Sequence, residues 1–72
     1  MENQDKKVLD LAMEAGRILL DAGAEIFRVE ETMKRIAKAY GIEKFNSFVL
    51  STGIFITAEN QEGEIYASVK HI

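Results

Sequence analysis

The hydrophobic period of this chain changes once, at Gly41, and that change limits what it can fold into. Before it, apolar residues recur every three or four positions; after it, they alternate. Val8, Ala12, Ala15 and Leu19, with Leu9, Gly16 and Leu20 on adjoining rows, make a helical stripe. Asn3 or Asp5 can cap its start, and Gly23 stands where a left-handed residue closes a helix, which predicts a first helix over residues 5–22. Ile26, Val29, Met33, Ile36 and Tyr40, followed by Gly41, predict a second over 25–40. Its other face offers Glu30 to Lys34 and Glu31 to Arg35 with the acid first, the order that supports an exposed helix.

Beyond Gly41 the residues are β-branched and aromatic, and the spacing turns to two. A strand from Phe45 to Ser51 turns at Thr52-Gly53. The next sets Ile54, Ile56 and Ala58 on one face against Phe55, Thr57 and Glu59 on the other, and a third sets Ile65, Ala67 and Val69 against Tyr66, Ser68 and Lys70. Asn60-Gln61-Glu62-Gly63 reads as a four-residue hairpin loop with Gly63 at positive φ. The order ααβββ predicts an α+β fold, with two N-terminal helices packed on one face of a small antiparallel sheet.

Seventy-two residues make one domain, 1–72, and a core that must be economical, since a chain this short buries only about 60% of its unfolded surface. With no cysteine, thiolate chemistry and Cys-ligated metals are excluded, and the one histidine, His71, reads as a strand-end surface residue. No catalytic set and no metal site is expected. The glycines fit neither dinucleotide nor phosphate-loop spacing, so no cofactor is expected either. A net charge of -3 disfavours nucleic acid as a partner. The N-terminus is polar and of mixed charge, unlike a secretory leader. The last strand still alternates at Ile72 with no proline to blunt it, so the chain reads as a soluble fragment of a longer protein and a homo-oligomer is one outcome for its open edge.

Gly16, inside a helix, costs about 1 kcal/mol relative to alanine and implies a close approach by another element. Gly23-Ala24-Glu25 makes a tight joint, with Glu25 favourably placed at the second helix's positive end. Arg28 lies three residues on and can pair with Glu25 or read a carboxylate, with Thr32 and Arg35 continuing the row. Ser51-Thr52-Gly53 makes a turn or holds a small polar ligand. Of the aromatics Phe45, Phe48, Phe55 and Tyr66, those facing outward would mark a docking surface.

Together Ala15-Gly16, Leu19-Leu20, Ala22-Gly23-Ala24-Glu25, Arg28-Val29-Glu30, Thr32-Met33, Arg35-Ile36-Ala37, Ala39-Tyr40-Gly41, Phe48-Val49 and Thr52-Gly53-Ile54-Phe55 resemble the N-terminal domain of the putative threonine/serine exporter family. The similarity covers about residues 8–58, and Gly16, Gly23, Glu25, Arg28, Glu30, Gly41, Thr52 and Gly53 match the core of its pattern. Ser51 stands where many members have proline. The resemblance implies a cytoplasmic region ahead of membrane spans, in a cell-membrane exporter of threonine, serine or small organic acids. It implies an accessory or regulatory domain that docks on the membrane-embedded remainder or on another subunit. Two alternatives stand beside it: an amino-acid sensor holding threonine or serine at Arg28 and Ser51-Thr52-Gly53, and a hydrolase-like domain using Glu25 or Glu30 with Arg28.

Overall fold

A computed structural model describes residues 3–72. Helix α1 runs Asn3–Asp21 and α2 Ile26–Ala39; strands β1 (Lys44–Leu50), β2 (Gly53–Glu59) and β3 (Ile65–His71) follow. The strands form an antiparallel meander in the order β1-β2-β3. The expected ααβββ fold is present. Asn3 and Asp5 lie inside α1 and do not cap it; the residue before Asn3 is outside the described residues. Asp5 instead adds an acidic charge to the first turn, where the helix dipole favours one.

Both helices end in the same way. Ala24 N donates to Leu19 O and Gly23 N to Leu20 O, each at 3.0 Å, and one helix later Ile42 N donates to Ala37 O at 2.9 Å and Gly41 N to Lys38 O at 3.0 Å. These are paired Schellman closures, and their left-handed residues are Gly23 (φ 87) and Gly41 (φ 88). The second also drives Ile42 into the core beside Ala37, both buried. The chain therefore reverses tightly from α2 into β1, and the two elements pack against each other.

The core joins Val8, Leu9, Ala12 and Met13 of α1, Val29, Met33 and Ala37 of α2, and Phe45, Val49, Ile54, Ile56 and Ala58 of the sheet. At Gly16 α1 comes close to both α2 and the sheet: a Cβ there would sit 2.5 Å from Met33 Sδ and 3.3 Å from Ile54 Cδ1. Ile26 and Tyr40, at the two ends of the α2 stripe, are exposed, because the helix ends overhang the core. Glu31 pairs with Arg35 at 3.7 Å as its spacing suggests, but no ion pair joins Glu30 to Lys34 among the described residues. An exposed pair worth a few tenths of a kcal/mol does not fix two long side chains.

The loop between β2 and β3 spans residues 60–64, one longer than the sequence suggests. Asn60 organises it: its backbone N donates to Glu64 O at 3.0 Å, and its Oδ1 accepts from Glu62 N at 3.0 Å and Glu64 N at 2.9 Å. Gly63 has the expected positive φ. The resulting register pairs Ala58 with Tyr66, Ile56 with Ser68 and Ile54 with Lys70. Directly opposed residues share a sheet face, so Tyr66, Ser68 and Lys70 turn toward the helices and Ile65, Ala67 and Val69 turn away. The helices pack on β1 and β2, and Tyr66 ties β3 to α1 by donating from its hydroxyl to Asp10 Oδ1 at 3.2 Å.

Candidate functional site

Glu25 is the N-cap residue of α2, with φ -67 and ψ 148, and its carbonyl accepts from Arg28 N at 3.0 Å and Val29 N at 3.1 Å. Its side chain makes no capping bond and is exposed. Arg28 is exposed on the first turn, and no ion pair links it to Glu25 among the described residues. The row through Thr32 ends at Arg35, whose partner is Glu31. Glu30 is half-buried, and no polar or charged residue is fully buried among the described residues, so the burial that acid/base chemistry at Glu25 or Glu30 would call on is not built here.

Ser51 and Thr52 form a two-residue link between β1 and β2, both at negative φ. Gly53 is not a turn residue but the first residue of β2, paired with Leu50 on one side and His71 on the other. A Cβ on Gly53 would lie 3.2 Å from Lys70 O, so glycine there serves the approach of two strands. Because α2 turns back tightly onto β1, the Glu25–Arg28 segment and the Ser51-Thr52 link lie toward one end of the domain. No hydrogen bond joins the two groups among the described residues.

Thr52 and Gly53 border a different feature, on the sheet face away from the helices. There Phe48 opposes Phe55 across β1 and β2, and Phe55 opposes Val69 across β2 and β3. Phe48 is 61% exposed, Phe55 41%, Val69 62% and Ile65 74%, with Leu50 also open to solvent. A shallow groove of about 290 Å³ is lined by Phe48, Leu50, Phe55 and Val69 together with Thr52, Gly53 and His71. Phe48 and Phe55 are thus the outward aromatics; Phe45 is buried and Tyr66 half-buried. Leu50, Ile65 and Val69 complete the patch and were absent from the sequence candidates. Their signal was the alternation itself, which shows two faces without saying which one is covered.

At the far end, Asp5, Glu43, Lys44, Glu59 and Glu62 line an open cleft of about 900 Å³. No group of three metal-ligating residues gathers there or elsewhere among the described residues. On α1, Arg17 Nε donates to Glu14 Oε1 at 3.0 Å and Arg17 Nη1 to Asp21 Oδ2 at 3.0 Å. The hydrogen bond from Arg17 holds the Glu14 carboxyl below its ordinary value.

The sequence profile of one family, described as putative threonine/serine exporter, matches residues 10–72. The chain belongs to the putative threonine/serine exporter family. No curated protein matches it, and no solved structure does. The exporter match takes in α2, the whole sheet and the residues Glu25, Arg28, Ser51, Thr52 and Gly53. No helix among the described residues is long and apolar enough to cross a membrane, so the part of this exporter-family chain described here contains no membrane-spanning helix.

Proposed function

We propose that this chain is a cytoplasmic accessory domain of an exporter of threonine, serine or a small organic acid. It regulates export by seating the outer face of its sheet on the membrane-embedded part of the exporter or on a neighbouring subunit. The observation that carries this reading is the apolar outer face, Phe48, Leu50, Phe55, Ile65 and Val69, in a chain of an exporter family. Contiguous exposed apolar surface on a small domain costs solubility and marks a docking site. Arg28 and the Ser51-Thr52 hydroxyls share no bonded contact, which gives the amino-acid-sensing alternative less support.

The test is made in cells. Intracellular threonine, serine and small organic acids are measured with the gene deleted, then complemented by native protein or by Phe48→Ser/Phe55→Ser. Deletion is expected to raise at least one of these pools, and the double variant to accumulate at native level yet fail to lower it. Unchanged pools on deletion, or full restoration by the variant, would overturn the proposal.

A further inference from the structure

The backbone of β3 carries a second surface, separate from the apolar face. Two bonds bracket the β2–β3 ladder, Asn60 N to Glu64 O and Ile72 N to Thr52 O, each at 3.0 Å, and both follow its register. Hydrogen-bonded pairs alternate along an antiparallel ladder, so residues 66, 68 and 70 spend their backbone groups on β2. Ile65, Ala67, Val69 and His71 each turn one N–H and one C=O to the open edge. Of the usual protections the edge has only one, the inward-facing charge of Lys70: the chain contains no proline, β3 runs seven residues, and its register is continuous without a bulge.

We infer that this edge pairs with the β3 edge of a second copy of the same chain, antiparallel about a two-fold axis through Ser68, to give one six-stranded sheet. That register uses all four open residues, setting Ala67 against Val69 and Ile65 against His71 of the second copy. It also sets Tyr66 against the second copy's Lys70 on the helix side. Lys70, an inward-facing charge on an edge strand, would ordinarily deter pairing. Here it meets its complement. The Tyr66 hydroxyl ends on the Asp10 carboxylate at 3.2 Å, and a lysine has about the reach of a tyrosine. Opposed side chains stand about 5 Å apart at their Cβ atoms, so the second copy's Lys70 ammonium arrives beside Asp10, twice by symmetry. On the far side, Val69 and Ala67 of the two copies join the two apolar faces into one. This pairing is independent of what the apolar face docks against.

The 72-residue chain is followed by sedimentation equilibrium and by amide exchange from micromolar to millimolar concentration. A dimer is expected, with the amides of residues 65, 67, 69 and 71 becoming protected as it forms, while those of 66, 68 and 70 are protected throughout. Val69→Pro removes an edge donor and leaves the β2 ladder intact, and should weaken the dimer at least tenfold. Lys70→Glu should also weaken it, and Asp10→Lys added to Lys70→Glu should restore it. A monomer at millimolar concentration overturns the inference. So does a dimer whose 65, 67, 69 and 71 amides stay open, which would place association on the apolar face instead, and a dimer that tolerates Lys70→Glu overturns the register centred on Ser68.

Discussion

Gly16→Ala sets two known magnitudes against each other at one atom. Alanine in place of glycine within a helix gains about 1 kcal/mol. The added Cβ, however, would lie 2.5 Å from Met33 Sδ, 3.0 Å from Met33 Cγ and 3.3 Å from Ile54 Cδ1. Met33 is fully buried and Ile54 almost so, leaving the thioether no solvent to swing into. Overpacking of this kind costs about 1–3 kcal/mol, so the net effect is a loss of roughly 0–2 kcal/mol, from a domain expected to hold only about 3–5 kcal/mol. Urea unfolding in a stabilising sulfate buffer measures it, in a cycle with Met33→Ala. Met33→Ala alone should cost about 2–5 kcal/mol, and Gly16→Ala in that background should turn stabilising, because its methyl enters the space the thioether has left. The coupling should reach at least about 1 kcal/mol. Additive effects, or a Gly16→Ala chain more stable than native by the full helix gain, would refute the close-approach reasoning.

Gly41→Ala is the complementary case, since its Cβ would meet nothing within 4 Å and only the left-handed backbone is at issue. It should cost about 1–2 kcal/mol and lower Tm by about 5–15 °C in a calorimetric scan. Asn60→Ala should free the Glu62 amide, now bonded to Asn60 Oδ1 at 3.0 Å, raising its hydrogen-exchange rate and costing about 1 kcal/mol. The hydrogen bond from Arg17 depresses the folded-state pKa of Glu14, so its contribution is full above the ordinary value of 4.5 and is lost as pH falls through the lower folded value. Acid titration of stability should therefore lose part of its slope below pH 4.5 in Glu14→Gln, and an unchanged acid limb would show that the contact is not populated in solution.

The helices and their ends were legible because each stripe stops at a glycine that closes it, Gly23 and Gly41. The strands were legible from alternation. What alternation could not give was the face of β3. A four-residue loop at 60–63 would have opposed Ala58 to residue 65 and turned Ile65, Ala67 and Val69 onto the helices. The loop closed by Asn60 is one residue longer, and one residue of register moves every side chain of a strand to the other face. The candidate site was legible in part for a related reason. Motif spacing located Glu25, Arg28, Ser51, Thr52 and Gly53, but placement at the same end of the domain is not contact, and Gly53 proved to belong to a strand. Leu50 follows Phe48 by two residues on β1 and so shares its face, but Val69 joined Phe55 only through the pairing of β2 with β3, which no local window of sequence contains.

The core of this domain holds no buried polar or charged side chain among the described residues. Its cohesion therefore comes almost wholly from keeping apolar groups out of water, a driving force that fades as temperature falls. A small domain built this way loses stability on cooling as well as on heating, with its most stable temperature inside the range where cells live. If the outer face is seated on another apolar surface, that contact weakens in the cold for the same reason. Refrigeration would loosen the fold and its attachment together.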